Sequence, residues 1–163
     1  MNNKSIIIPI IFLIIGLVAI SGCISTNGNN TTSIKNYTGN GLTVNYPSDW
    51  TIHNDTEGML LFFKNSGTNT QLTIQTILQS SPDLSDESLI PPIGNITMVS
   101  NTSRTIDNTT AKELIYKSDL LMYGTTYFEK KGKTVIINYQ APINDFKNET
   151  ANFDIIINSI KVQ

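Results

Sequence analysis

Cysteine, histidine and tryptophan each occur once in the 163 residues, and charged side chains make up only 15%. Each shortage closes off a class of chemistry. One cysteine, Cys23, excludes an intrachain disulfide and any zinc site built on several thiolates. One histidine, His53, limits every histidine-dependent triad or metal site to a single position. A net charge of −2 provides no basic field for nucleic acid, so no nucleic-acid partner is expected. There is no glycine-rich phosphate loop: Gly39-Asn40-Gly41 is too short and follows no parallel strand. No cofactor and no metal are expected, and no catalytic residue is assigned. Asparagine, threonine and serine supply the polarity that charge does not.

The first residues differ from all that follow. A short start with one positive charge, Lys4, precedes the run from Ile6 to Ile20, which no charge interrupts. This is the pattern of a secretory signal. The run is shorter than the roughly 20 residues that span a bilayer, and Pro9 and Gly16 weaken its helix. Ile20-Ser21-Gly22-Cys23 resembles the lipobox of secreted lipoproteins, in which an aliphatic residue and two small ones precede the lipidated cysteine. Small residues let the peptidase fit around the backbone, and the thiolate is the nucleophile that takes the lipid. Lipidation also removes the one thiol that would otherwise be left to pair with another chain. The alternative is an uncleaved membrane helix in which Cys23 is only a small apolar residue.

The expected organisation is a signal peptide over residues 1–22, a lipidated flexible tether over 23–36 and one domain over 37–163. Loss of Lys4 with the signal leaves ten basic against thirteen acidic side chains. The membrane is therefore engaged through lipid on Cys23, not through charge, and two chains are needed for stable anchoring. The expected location is the outer face of the cytoplasmic membrane or the cell surface. Residues 24–35 show no apolar period and lack the means to order themselves by burial. Asn-x-Ser/Thr acceptors start at Asn29, Asn30, Asn36, Asn54, Asn95, Asn101, Asn108 and Asn148. They are surface sites if modified. An Asn- and Thr-rich chain also makes such triplets by composition alone.

From Tyr37 the apolar period is two. Leu42, Val44 and Tyr46 alternate with polar residues up to Pro47, and Thr51 to His53 begins a second strand. Met59 to Phe63 is apolar on both faces, which places it inside a sheet. Leu72, Ile74, Thr76 and Leu78 share one face of the next strand. Ser80 to Gly94 breaks the pattern: Ser81 to Leu89 is expected to form a short helical insert, stopped by Pro91-Pro92. Strands resume at Ile96–Met98, Arg104–Ile106 and Ala111–Lys117. Leu121–Glu129 and Lys133–Tyr139 flank the hairpin signal Lys130-Lys131-Gly132. Phe146, Phe153, Ile156, Ile157 and Ile160 recur at mostly helical steps and predict a C-terminal amphipathic helix. The fold class is α+β: a central, mainly antiparallel sheet with a short helical insert and a C-terminal helix packed on it.

Three stretches carry a resemblance. Gly41 to Trp50, with a strand, Tyr46-Pro47 and Trp50 in the next turn, resembles the opening of PsbP-like domains. Lys133 to Pro142 is similar to their last strand, and Asn152 to Lys161 to their closing helix. The resemblance covers Tyr37 to Val162 and implies an antiparallel sheet covered by helices. It implies no single activity: members include a photosystem II extrinsic subunit, a nuclear-import factor that binds the GTPase Ran, and many prokaryotic lipoproteins. The photosystem role is not carried over, because a tether stands where those members have a binding arm.

Among residues that could mislead, His53, Asp55 and Glu57 would share one face of an extended strand, where a solvated strand end is the simpler account. Asp83, Asp86 and Glu87 lack the ligand order of a calcium loop and suit the first turn of a helix. Trp50 is expected in the core, and Tyr123, Tyr127 and Tyr139 are expected to line one sheet face. The functional expectation is a membrane-anchored surface lipoprotein with a non-catalytic binding or scaffold domain for an unidentified surface protein or ligand. The alternatives are a surface hydrolase and a lipoprotein that binds a small solute or ion.

Overall fold

The computed structural model describes residues 33–54, 58–77 and 95–163. The signal, Cys23, Asn29, Asn30, the insert at 81–89 and the carboxylates Asp55, Glu57, Asp83, Asp86 and Glu87 lie outside them. Among the described residues no helix is long and apolar enough to cross a membrane.

Two-residue turns organise the strands. β1 (Ile34–Gly39) folds back onto β2 (Leu42–Pro47) through Asn40-Gly41, both at positive φ (52° and 71°). Such turns match the right-handed twist of the strands they join. The same geometry joins β6 (Thr97–Ile106) to β7 (Thr109–Lys117) through Asp107-Asn108, and β8 (Leu121–Lys130) to β9 (Lys133–Pro142) through Lys131-Gly132. β3 (Trp50–Asn54), β4 (Met59–Lys64) and β5 (Gln71–Ile77) complete a seven-stranded sheet in the order β3-β4-β5-β9-β8-β7-β6. Every neighbouring pair in it is antiparallel.

Helix α1 (Ile143–Ser159) follows β9 directly, and the chain then ends in β10 (Lys161–Val162). β10 pairs with β2, so β1, β2 and β10 form a second, three-stranded sheet. The helix touches both sheets. Its apolar stripe, Phe153, Ile156 and Ile157, meets Trp50, Phe62, Leu72, Ile74 and Ile137 from the large sheet and Leu42 and Val44 from the small one. Two polar contacts tie it down: buried Glu149 pairs with Lys64 of β4, and at the C-terminal end Ser159 Oγ accepts from the Asn45 N–H at 2.8 Å. On the opposite face of the large sheet, Leu114, Tyr116 and Tyr123 form a separate buried cluster.

The α+β class, the antiparallel pairing and the closing helix agree with the sequence reading. Three details differ. The first strand begins at Ile34, inside the expected tether: Ile34, Lys35 and Asn36 are exposed and are held by the backbone ladder to β2. The stretches at Ile96–Met98 and Arg104–Ile106 belong to one ten-residue strand, β6, with a register shift between Met98 and Ser100. The sheet is not single, because two residues after the helix close a second one.

The Asp107 turn is a clasp between three elements. Its carboxylate meets Lys130 Nζ at 2.7 Å and Lys161 Nζ at 3.3 Å, and accepts the Val162 N–H at 3.1 Å. Burial would raise its pKa; the hydrogen bonds from Lys130, Val162 and Lys161 outweigh that and lower it to about 2. A depressed carboxylate adds stability that is complete above its unfolded pKa and is lost as pH falls through the folded one. Asp107→Asn is therefore expected to cost about 1–2 kcal/mol at neutral pH, after allowance for solvent screening. The gap between wild type and variant should close between about pH 4 and pH 2. Urea unfolding at a series of pH values measures it, and a gap that ignores pH would contradict the clasp.

Candidate functional site

Arg104 is the only arginine of the chain, and it sits near the C-terminal end of β6, where it reaches α1. Its ladder neighbour positions are set by the β6–β7 turn: Arg104 lies opposite Ala111, and Thr102 opposite Glu113. Glu113 in turn lies opposite Thr126 of β8, and Tyr139 of β9 lies opposite Gly124. Strand alternation thus delivers Arg104, Glu113, Thr126 and Tyr139 to the same face from four adjacent strands.

Their side chains form one network. Glu113 Oε1 accepts from Arg104 at 2.8 Å, from the Tyr139 hydroxyl at 2.8 Å and from Thr126 at 3.5 Å. The other arm of Arg104 donates to Asp154 at 2.6 Å and Asn158 at 2.7 Å, both on α1. The network floors a cleft of about 400 Å³ between helix and sheet, walled by Phe146, Phe153, Ile115 and Ile157. The Tyr139 ring stacks on Phe146 at 6.1 Å and 17°.

Burial would lower the Arg104 pKa; the hydrogen bonds to Asp154 and Glu113 and their charges reverse this and hold it above its ordinary value. Burial, followed by the charge of Glu113 and the hydrogen bond to it, pushes the Tyr139 phenol well above its ordinary range. Tyr139 is thus a fixed donor and Arg104 a fixed cation. Formal charges leave the cleft with one cation against two carboxylates, behind an aromatic wall. Such an arrangement suits recognition of an amphipathic group with a polar or cationic end.

The residues singled out from sequence are dispersed. His53 is exposed on β3 and its ring lies 5.0 Å from that of Phe63. Among the described residues no group of three or more His, Cys, Asp or Glu is placed to hold a metal. Trp50 is buried and meets Phe153 edge-on at 5.9 Å, as a core anchor does. The expected tyrosine strip is corrected: Tyr123 lies opposite Gln140 and Tyr127 opposite Ile136, on the face away from Tyr139. Asn36, Asn95, Asn101, Asn108 and Asn148 are exposed, and Asn54 closes β3. Of the cleft residues, the sequence singles out Tyr139 and the helix stripe Phe146, Phe153 and Ile157, but not the polar set Arg104, Glu113 and Asp154. The one signal for them is a lone arginine within a strand.

No curated protein matches the chain in sequence. Among solved structures, the cyanobacterial PsbP (CyanoP) of Synechocystis sp. PCC 6803 superposes with a TM-score of 0.60 at 15% identity, covering 85% of this chain and 98% of its own. The Ran-binding protein Mog1p of Saccharomyces cerevisiae gives 0.54 at 8% identity, covering 81% and 96%. LpqN of Mycobacterium tuberculosis, involved in cell envelope biogenesis, gives 0.51 at 13% identity, covering 84% and 87%. At such identities the likeness is one of fold. The sequence profile of the PsbP-like protein family matches residues 6–162, nearly the whole chain, so this protein belongs to the PsbP-like family.

Proposed function

We propose that this chain is a lipid-anchored surface module that binds a ligand or protein through the cleft under α1 and performs no chemistry on it. The observation that carries the reading is the mutual pairing of the charged groups in the cleft. Glu113 already accepts three hydrogen bonds and Arg104 donates to three acceptors. Tyr139 is held as a donor. A general base or nucleophile needs a free lone pair within reach of substrate, and Glu113 Oε1 is already engaged by Arg104, Tyr139 and Thr126. The anchor rests on Ile20-Ser21-Gly22-Cys23 and on the absence of any other cysteine. The family fold supports the reading by serving a Ran-binding protein and an envelope-biogenesis protein elsewhere.

Two measurements test it. Protein isolated from membranes should begin at Cys23 and carry lipid there, and Cys23→Ser should accumulate as the unprocessed precursor. Recovery of a chain that retains residues 1–22 with an unmodified thiol would refute the anchor. The wild-type protein should show no turnover of general esterase, phosphatase, protease or glycosidase substrates, with or without divalent metals. Turnover that vanishes in Glu113→Gln or His53→Ala would refute the non-catalytic reading.

A further inference from the structure

Six Asn-x-Ser/Thr acceptors start within the described residues, and their placement follows the sheet edges. Asn36 lies on β1, the outer strand of the small sheet. Asn54 ends β3, one edge of the large sheet. Asn95, Asn101 and Asn108 lie before, within and after β6, the other edge. Only Asn148, on α1, is away from an edge. The interior strands also hold asparagines, Asn45 on β2 and Asn138 on β9, but the second residue after each is Pro47 or Gln140, not a hydroxyl residue. Composition alone does not sort acceptors by position in a sheet.

β6 is the edge most in need of cover. It runs for ten residues and, among the described residues, pairs on one side only, with β7. Free edges are templates for another strand, and proteins blunt them with outward charge, proline, shortness or a covering element. β6 holds no proline and no lysine, and its one charge, Arg104, is turned inward to Glu113 and Asp154. Met98 and Val99 are about half exposed, at 46% and 54%. The register shift near Met98 disturbs only the start of the strand. By contrast β3 is five residues long.

We propose that the β6 edge is a glycan-covered edge: N-linked oligosaccharides on Asn95, Asn101 and Asn108 keep a second strand from adding to the sheet. The three sites span the edge from end to end, about 33 Å at 3.3 Å per residue. An added strand must approach to about 4.8 Å, which a bulky, hydrated sugar at either end and in the middle prevents. The co-reactant is an oligosaccharide carried on a lipid phosphate or pyrophosphate. A bond forms between the asparagine Nδ2 and the anomeric carbon, the bond from that carbon to the phosphate oxygen breaks, and the lipid phosphate leaves with the electron pair. The amide gives up one proton to base, and nothing is oxidised or reduced. The inference rests on the surface placement proposed above, because that is where such transfer occurs.

The full chain is purified from its native membrane and its peptides are mapped by mass. Sugar is expected on Asn95, Asn101 and Asn108. The triple variant Asn95→Gln, Asn101→Gln, Asn108→Gln should remain folded by circular dichroism and associate, raising the apparent mass by light scattering at least about twofold. Asn148→Gln should stay monomeric. Adding Val99→Lys to the triple variant should restore the monomer, since an edge lysine blocks pairing without sugar. Bare asparagines on a chain that carries lipid on Cys23 would overturn the inference and leave the anchoring intact. A chain retaining residues 1–22 in the cytosol would instead overturn the surface placement. A triple variant that stays monomeric, or a wild type that already dimerises through β6, would also overturn the proposed cover.

Discussion

Replacing Phe153 with alanine is expected to destabilise the domain by about 3–5 kcal/mol. The side chain is 1% exposed and stands where helix and sheet meet. Its ring lies 5.9 Å from Trp50, 5.0 Å from Tyr139 and 5.8 Å from Phe146. Truncation removes the transfer free energy of a buried ring and leaves a cavity among three aromatic neighbours. Those neighbours have limited freedom to collapse into it, because Tyr139 is tied to Glu113 and Trp50 begins a paired strand. A domain of this size has roughly 5–15 kcal/mol in total, so the variant should sit near its unfolding threshold. Equilibrium urea unfolding gives the number. A loss below about 1 kcal/mol, the size of an ordinary surface change, would mean that α1 is not part of the core.

The same helix shows what was legible in the sequence. Phe153, Ile156 and Ile157 could be placed in the core from spacing alone, and all three are buried. The strand alternation at Leu42, Val44 and Tyr46 and at Leu72 and Ile74 was equally plain, because one face of each strand is covered. Where neither face provides contrast, period two is silent. β6 has almost every position exposed, so only its ends looked like strand. β10 is two residues long, too short to show a period, and exists because β2 offers it a ladder. Ile34 to Asn36 belong to β1 for the same reason.

The candidate site was hidden for a different cause. Arg104, Glu113, Tyr139 and Asp154 come from four elements, so no local spacing joins them. Part of it could still have been counted. The Lys131-Gly132 turn pairs Lys130 with Lys133, and counting outward brings Tyr123 opposite Gln140 and Tyr139 opposite Gly124. The register thus separates Tyr139 from the other two tyrosines and sets it over a glycine. Which partner the Tyr139 hydroxyl finds depends on where α1 and β6 lie, and that is tertiary information.

That glycine carries the last prediction. A Cβ placed on Gly124 would lie 2.0 Å from Tyr139 Cζ and 2.2 Å from its Cε2, far inside contact distance. Glycine in mid-strand marks close approach by another group, here the ring of the neighbouring strand. Tyr139 has little room to yield, since Glu113 holds its hydroxyl and Phe146 and Phe153 flank its ring. Gly124→Ala should therefore cost about 1–3 kcal/mol, the usual range for overpacking. Tyr139→Leu alone should cost about as much through lost packing and the bared Glu113 oxygen. In the Tyr139→Leu background the obstacle is gone, and alanine in a strand interior is better than glycine by roughly 0.5–1 kcal/mol. Gly124→Ala should then be neutral or stabilising, so the effect of one substitution changes sign with the other. A double-mutant cycle by urea unfolding should return a coupling of about 1.5 kcal/mol or more, within the range for residues in contact. Additive effects would show that the ring does not rest on Gly124, and with it that the aromatic wall of the cleft is not fixed there.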